Sequence, residues 1–330
     1  QVSSVPMDPT LWSLSLIFLF PAILLLFLAL IVQPKPVKVP IKGRHVFITG
    51  GSSGIGLALA RQAAAQGARV SILARNPHRL EEARDSIRLS TGIDVEVFSA
   101  DVRDFEAVKR AVEEAGPVDV LVCNQGVYVA RELEKQELEE VRSIIDVNLM
   151  GTFNLIKATL PGMKNRMDRR PASIALVSSQ AGQVGLYGYT AYSASKFGLK
   201  GLAEALQQEV ITDNIHVSLI FPPDTDTPGL LEESKTRPRI TSIIAASSGA
   251  TEPTDAVAGN ILKGIKCGSF ITHCNFMGLL LCIVTVGMSP QRSFLMAFVE
   301  VVAAGIVRII ALCFQCNWYG TIAKLQVQRA

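Results

Sequence analysis

The chain has 330 residues, 49% of them hydrophobic, and 32 basic against 29 acidic side chains leave a net charge of +3. That near balance gives no reason to expect a nucleic-acid partner, and six cysteines in a chain of this length do not make a disulfide framework. The length suffices for one large α/β domain, and a reducing compartment is the default expectation.

Residues 13–32, SLSLIFLFPAILLLFLALIV, contain no charge. About twenty helical residues span the hydrocarbon core of a bilayer, and a proline such as Pro21 is tolerated there. No basic segment precedes the run and no small-residue cleavage site follows, which argues against a removed signal peptide. The lack of a polar face argues against a buried soluble helix. A retained transmembrane anchor is expected. Lys35, Lys38, Lys42 and Arg44 follow at once, so the excess of positive charge places the downstream domain in the cytosol and residues 1–12 on the other side.

Residues 33–43, QPKPVKVPIKG, read as a proline-rich linker. Strand-length apolar runs then follow at 45–49, 69–74, 94–99, 118–123, 173–178 and 215–220, with helical patterns near 55–66, 77–90, 104–115, 136–165 and 192–212. Repeated β–α alternation implies a parallel sheet with helices on both faces.

The first strand runs into TGGSSGIG, Thr49 to Gly56, which opens the first helix. A glycine triplet alone is weak, but strand–loop–helix is the context in which it binds a dinucleotide. Gly50 permits a tight turn, Gly54 lets backbone approach a pyrophosphate, and Gly56 lets the helix sit close to the strand. Ser52 and Ser53 add hydroxyl donors, and free N–H groups around Ile55 open the helix toward phosphate. About twenty residues on, at the end of the second strand, an acidic residue would select NAD. The chain instead offers Arg75, with Arg79 one turn later; guanidinium suits the 2′-phosphate of NADP, against the ordinary alternative of solvated surface arginines.

In YGYTAYSASKFGLKG, residues 187–201, only Tyr192 has a lysine four residues on, Lys196. Positions four apart share a helix face, and an ammonium beside a phenol lowers its pKa from about 10 toward catalytic usefulness. Two exposed residues would give the same spacing by chance. VSSQAG, 177–182, precedes them at a strand end and brings Ser178 or Ser179 to the carboxyl edge of the sheet, where open α/β folds bind ligands. Tyr187 and Tyr189 lack a lysine partner and read as packing or substrate-lining residues.

Taken together, TGGSSGIG, CNQG (123–126), VNLMG (147–151), SSQAG and YSASK resemble, in order and spacing, the short-chain dehydrogenase/reductase family over residues 42 to about 275. The resemblance implies a doubly wound, Rossmann-type parallel sheet and an Asn–Ser–Tyr–Lys catalytic set. Asn148 would hold a water that continues a proton relay from Lys196. Ser179, by family spacing, or its neighbour Ser178 would bond the substrate oxygen. Tyr192 would give it a proton, and Lys196 would also hold the nicotinamide ribose. Asp101 and Val102 would meet the adenine, and Asn124 the cofactor's ribose. Gln125 departs from the family's small alanine, which puts local packing against the cofactor in question.

A narrower resemblance lies in VSSQAGQVGLYGYTAYSASKFGLKGLAEALQQEV and PPDTDTPGLLEESKTRP. With the leading membrane helix and apolar tail, these look like the branch of the family that reduces long-chain keto-sphingoid lipids with NADPH at the endoplasmic reticulum membrane, active site toward the cytosol. In that branch PPDTDTPG, 222–229, closes over the nicotinamide, with Pro222 and Thr225 as cofactor contacts. A membrane-bound relative acting on retinoids or steroids is the alternative; a silent dinucleotide-binding scaffold is a third reading, which the intact Ser–Tyr–Lys set with Asn148 disfavours. A homo-oligomer is compatible with the family.

The tail, 276–316, is apolar and expected to associate with membrane, before a polar end over 317–330. Residues 276–288 are short for a span. Residues 294–314 are long enough but carry Glu300 and Arg308, each costing about 2.5–3.5 kcal/mol at a bilayer centre. At about 100° per residue, Ser293, Glu300, Arg308 and Gln315 form one narrow polar stripe, which fits a helix lying in the interface, one whose stripe faces protein, or a second span. Cys313 and Cys316 lie in this tail without a second pair or histidines, so they read as packing residues and no metal site is expected.

Overall fold

The computed structural model describes residues 9–33, 35–247 and 249–327. The expected non-cytosolic end falls outside the description up to residue 8, as do residues 328–330 of the polar C-terminal end. In chain order the elements are α1 (Pro9–Ile31), β1 (His45–Thr49), α2 (Gly54–Ala65), β2 (Arg69–Ala74), α3 (Pro77–Thr91), β3 (Glu96–Ser99), α4 (Phe105–Ala115), β4 (Val120–Cys123), α5 (Leu138–Ile145), α6 (Gly151–Lys164), β5 (Ala172–Val177), α7 (Thr190–Val210), β6 (Ile215–Phe221), α8 (Pro228–Ser234), α9 (Arg239–Ser247), α10 (Thr254–Lys266), β7 (Ile271–His273), α11 (Phe276–Thr285) and α12 (Phe294–Val327).

All seven strands pair in parallel in the order β3-β2-β1-β4-β5-β6-β7. Ile48 of β1 stands opposite Ile72 on one side and Val122 on the other. Alternation along β1 feeds two cores. Phe47 joins Val108, Leu155 and Leu199 beneath α4, α6 and α7. Val46 and Ile48 join Leu59, Leu80 and Ile261 beneath α2, α3 and α10. The inner strands β1, β4, β5 and β6 are buried on both faces, as a sheet covered by helices requires. The order reverses between β1 and β4, so a crevice opens beyond the carboxyl ends of these two strands.

Local chemistry sets the helix ends. Asn76 accepts from the Arg79 N–H to start α3, with Pro77 in its first turn, and Gly92 closes the helix at φ 73°. Asp104 caps α4 through the Ala107 N–H. The expected helix over 136–165 is continuous from Leu138 to Lys164, with a π-turn over Asp146–Met150 between α5 and α6. β7 has three residues and α8 seven, too short to carry a readable period.

The second half of the expected linker is docked. Val39 and Ile41 are buried, and the Val39 N–H donates to the Lys266 carbonyl at 2.9 Å. Arg44 is also buried and ion-paired with Asp119 (2.7 Å) and Asp168 (2.8 Å). It therefore belongs to the domain's own framework, and only Lys35, Lys38 and Lys42 remain exposed after α1.

The expected anchor over 13–32 falls on α1, which runs 23 residues without a charged side chain; its side chains are described from Leu19 onward. α12 runs 34 residues, about 51 Å at 1.5 Å per residue. Among the described residues it is the one helix long and apolar enough to cross a membrane. α1 packs beside it, and α11 joins it to the catalytic domain. Gln180 Nε2 donates to Asn275 Oδ1 at 3.1 Å, and Lys200 Nζ donates to the Thr285 carbonyl at 2.6 Å. Gln291 Nε2 donates to Glu300 at 2.7 Å, while Arg308 and Gln315 border the central cleft. The Glu300 end of the stripe thus meets protein, while Arg308 is exposed at the cleft's border.

Candidate active site

β1 ends in the glycine loop. Gly50 has φ +63°, in the left-handed region that favours glycine. A Cβ on Gly56 would lie 2.3 Å from the Gly50 carbonyl oxygen, so nothing larger lets α2 sit this close to the strand. Ser53 stands extended ahead of α2 and its side chain caps no N–H, leaving the helix's first amides toward the crevice. Asn124 Nδ2 holds the loop from β4 through the Thr49 carbonyl at 3.1 Å and the Gly50 carbonyl at 3.4 Å. This is a cradle shaped for a pyrophosphate.

Gln125 does not intrude on it. Its side chain is buried; Thr49 Oγ1 donates to its carbonyl oxygen at 2.5 Å, and its amide donates to Thr152 Oγ1 at 2.9 Å. Thr152 in turn donates to the Asn148 carbonyl at 2.8 Å. The polar departure from alanine thus ties the glycine loop to the π-turn. On the adenosine side, Arg75 and Arg79 are exposed and have no ion-pair partner among the described residues. Asp101 is held by Arg103 at 2.7 Å, which keeps its carboxyl below the usual range. Val102 is buried against Gly151, where a Cβ would come within 2.6 Å of its side chain.

α7 presents Tyr192 and Lys196 to the same crevice. Lys196 Nζ donates to the Val177 carbonyl at 2.9 Å and lies over the Tyr192 ring, 5.7 Å from its centroid. Burial brings the ammonium down to about 8. Burial also pushes the Tyr192 phenol well above its ordinary value, with Ser179 opposing through a hydrogen bond and Tyr128, Asp224 and Glu233 adding to the rise. The expected lowering of the phenol by Lys196 is therefore outweighed: the ammonium faces the ring and Val177 rather than the hydroxyl, and desolvation dominates.

The two serines separate. Ser178 is buried and donates to the Lys196 carbonyl at 2.9 Å, bracing α7. Ser179 accepts from the Ala181 N–H and meets the Tyr192 hydroxyl. Asn148, in the π-turn, spends both amide hydrogens on the Val127 carbonyl (2.9 Å) and Ser195 Oγ (3.0 Å). A water at this residue would have acceptor lone pairs alone to bind. Pro222 and Thr225 border the cleft; the Pro222 carbonyl accepts from the Gln180 N–H at 3.0 Å, and the Thr225 hydroxyl is turned to the Pro223 carbonyl at 2.8 Å.

One cleft of about 370 Å³ joins these groups to the tail, running from Asn124, Ser179, Tyr192 and Lys196 to Leu281 and Val284 of α11 and Val307, Phe314 and Trp318 of α12. Sequence reasoning offered Tyr189 as a packing or substrate-lining residue, and it lines the cleft; the rest of that wall was missed. Tyr128 packs edge-on to Tyr192 at 5.8 Å and Tyr189 tilts against it at 5.6 Å. Tyr189 donates to Glu233, which Arg237 grips at 2.8 and 2.9 Å. The Glu233–Arg237 spacing of four was the one signal available, and it reads equally as a surface ion pair. All six cysteines are free, and Cys313 and Cys316 are exposed on α12; no metal-binding group of histidine, cysteine and acidic residues occurs among the described residues.

A doubly wound sheet with a glycine cradle at its switch point and a half-buried tyrosine beside a buried lysine defines a nicotinamide-dependent oxidoreductase fold. The family model for short chain dehydrogenase matches residues 44–238, and the chain belongs to that family. It is 64% identical to 3-dehydrosphinganine reductase TSC10A of Arabidopsis thaliana, over 89% of this chain and 90% of that one. It is 39% identical to 3-ketodihydrosphingosine reductase of Mus musculus, over 93% of each. Among solved structures, a short chain dehydrogenase/reductase family protein superimposes with a TM-score of 0.60 at 28% identity, covering 68% of this chain and 90% of its own.

Proposed function

We propose that the protein reduces the ketone of 3-dehydrosphinganine to sphinganine with NADPH. The observation that carries this reading is the cleft: its polar end holds Ser179, Tyr192 and Lys196, and its other end is a mainly apolar groove between α11 and α12, bordered by Arg308 and Gln315. The named relatives in plants and vertebrates support the same substrate.

The glycine cradle, Asn124 and Lys196 fit a nicotinamide dinucleotide, with Asp101 and Val102 toward its adenine, Pro222 and Thr225 nearer the nicotinamide, and Arg75 and Arg79 free to meet a 2′-phosphate. The bound, reduced cofactor supplies the hydride taken by the carbonyl carbon. Ser179 orients the carbonyl oxygen by a hydrogen bond. Tyr192, kept protonated at neutral pH by burial, gives its proton to that oxygen as charge develops there. The Lys196 ammonium, at about 8, is matched to return a proton to the phenolate, and a water held at Asn148 would connect it to solvent.

Residues 44–275 form the catalytic domain in this reading, and 276–316 carry the lipid-facing elements. The enzyme sits in the endoplasmic reticulum membrane with α1 as anchor and the catalytic domain toward the cytosol. Support for the orientation comes from Lys35, Lys38 and Lys42, exposed directly after α1. Protease added to sealed microsomes is expected to digest the central domain; its protection would reverse the orientation. The reaction is tested with purified protein in bilayers, given NADPH and a panel of ketones, with products read by mass. Sphinganine is expected. Efficient reduction of steroid or retinoid carbonyls with 3-dehydrosphinganine left untouched would overturn the reading.

A further inference from the structure

We propose that Asp224 binds the protonated amine of the substrate and thereby selects an amino ketone over a neutral one; this rests on the reaction proposed above and adds the residue that reads its headgroup. The wall beside Tyr192 carries two carboxylates and one guanidinium. Arg237 grips both oxygens of Glu233 and reaches Asp224 Oδ2 at 2.8 Å. Glu233 also receives the Tyr189 hydroxyl, and its side chain is 3% exposed. It is enclosed and satisfied.

Asp224 differs on both counts. Its side chain is 43% exposed, it borders the catalytic cleft, and its Oδ1 has no hydrogen-bond partner among the described residues. Two negative charges against one positive leave the wall with one uncompensated negative charge, close enough that both carboxylates act on Tyr192.

The position matters because of the substrate's covalent structure. In 3-dehydrosphinganine the amine-bearing carbon is bonded directly to the ketone carbon. A ketone placed at Tyr192 and Ser179 therefore puts the ammonium within the first few ångströms of the same wall. An ammonium entering a cleft whose far end is apolar loses hydration, and that loss must be met by a paired acceptor. Lys196 repels it from the α7 side, while the free oxygen of Asp224 offers a charge-assisted hydrogen bond on the other. Arg237 cannot serve in Asp224's place, and it is pinned between the two acids, which fixes the Asp224 carboxylate in position.

The test uses the full-length protein in phosphatidylcholine vesicles and two ketones of equal chain length, 3-dehydrosphinganine and its des-amino counterpart. The wild type is expected to prefer the amino ketone by about 10- to 100-fold in kcat/KM, the worth of one hydrogen bond to a charged group. Asp224→Asn should abolish that preference, chiefly through KM, and Asp224→Glu should keep most of it. An NADPH titration followed by fluorescence reports whether each variant is folded. Equal proportional falls on both ketones, no preference in the wild type, or a preference that survives in Asp224→Asn would each overturn the inference. Failure is also separable by level: a wild type that turns over neither ketone removes the proposed reaction and this inference with it, whereas normal amino-ketone turnover with selectivity intact in Asp224→Asn removes only the role of Asp224.

Discussion

At the scale of single residues, what was legible depended on whether partners are close in the chain. Tyr192 and Lys196 sit four apart on one helix, so the pair could be read directly. Family spacing favoured Ser179 with Ser178 left open; in the fold Ser178 donates to the Lys196 carbonyl and Ser179 meets the phenol. Gln125 was readable only as a departure, because its partners Thr49 and Thr152 come from β1 and α6. Removing the phenolic hydroxyl tests the proton donor: Tyr192→Phe should keep the ring packing and NADPH binding while turnover drops by about 10²–10⁴-fold, the usual worth of general acid catalysis. Near-normal turnover in that variant would mean another group supplies the proton. Cofactor choice is tested at Arg75, exposed and free of ion pairs among the described residues. Arg75→Asp removes a phosphate partner and adds repulsion, so the Kd for NADPH should rise far more than that for NADH in parallel fluorescence titrations. Matching rises would show that Arg75 does not read the 2′-phosphate.

At the scale of elements, the β–α alternation gave six of the seven strands, because buried parallel strands are continuous apolar runs. The π-turn within 136–165 was invisible to periodicity: its five residues are too few to display a wider spacing, yet they hold the buried Asn148. β7 escaped because three residues show no period. The glycine loop, by contrast, is legible and also rigidly specified. In Gly56→Ala the new methyl would meet the Gly50 carbonyl oxygen and the Asn124 amide, at 2.3 and 2.5 Å from their respective atoms. Backbone cannot yield as a flexible side chain does, so α2 must move off β1. We expect weakened NADPH binding and lower thermal stability together, read by fluorescence titration and by thermal unfolding in detergent. Wild-type values for both would show that the cradle can accommodate a methyl group there.

At the scale of the whole molecule, the apolar tail borders the same cleft as Tyr192 and Lys196. Composition alone left α12 between a span, an interfacial helix and a helix facing protein; in the structure Glu300 of its stripe meets Gln291 and Val307, Phe314 and Trp318 border the cleft, while Leu295, Val302 and Ile306 point outward and exposed. One helix can thus meet lipid on one side and line a substrate groove on the other. The arrangement answers an energetic difficulty. Drawing an alkyl chain from lipid into water costs about 0.8 kcal/mol per methylene, so fifteen methylenes cost roughly 12 kcal/mol, more than the binding energy of a micromolar ligand. A groove open to the bilayer removes most of that cost, because the chain passes from lipid to protein without crossing water. Ending the chain at Ser293 deletes this wall but leaves β1–β7, the glycine loop and α7 in place. We expect NADPH binding to persist and the KM for the long-chain ketone to rise steeply, while a short-chain amino ketone, too short to reach α12, is turned over as in the full-length protein. Leu281→Gln, which keeps α12 and places an amide in the groove, should shift the same ratio in the same direction to a smaller extent. Equal losses for long and short ketones in both variants would show that α12 supports the fold of the catalytic domain rather than the path of the lipid chain.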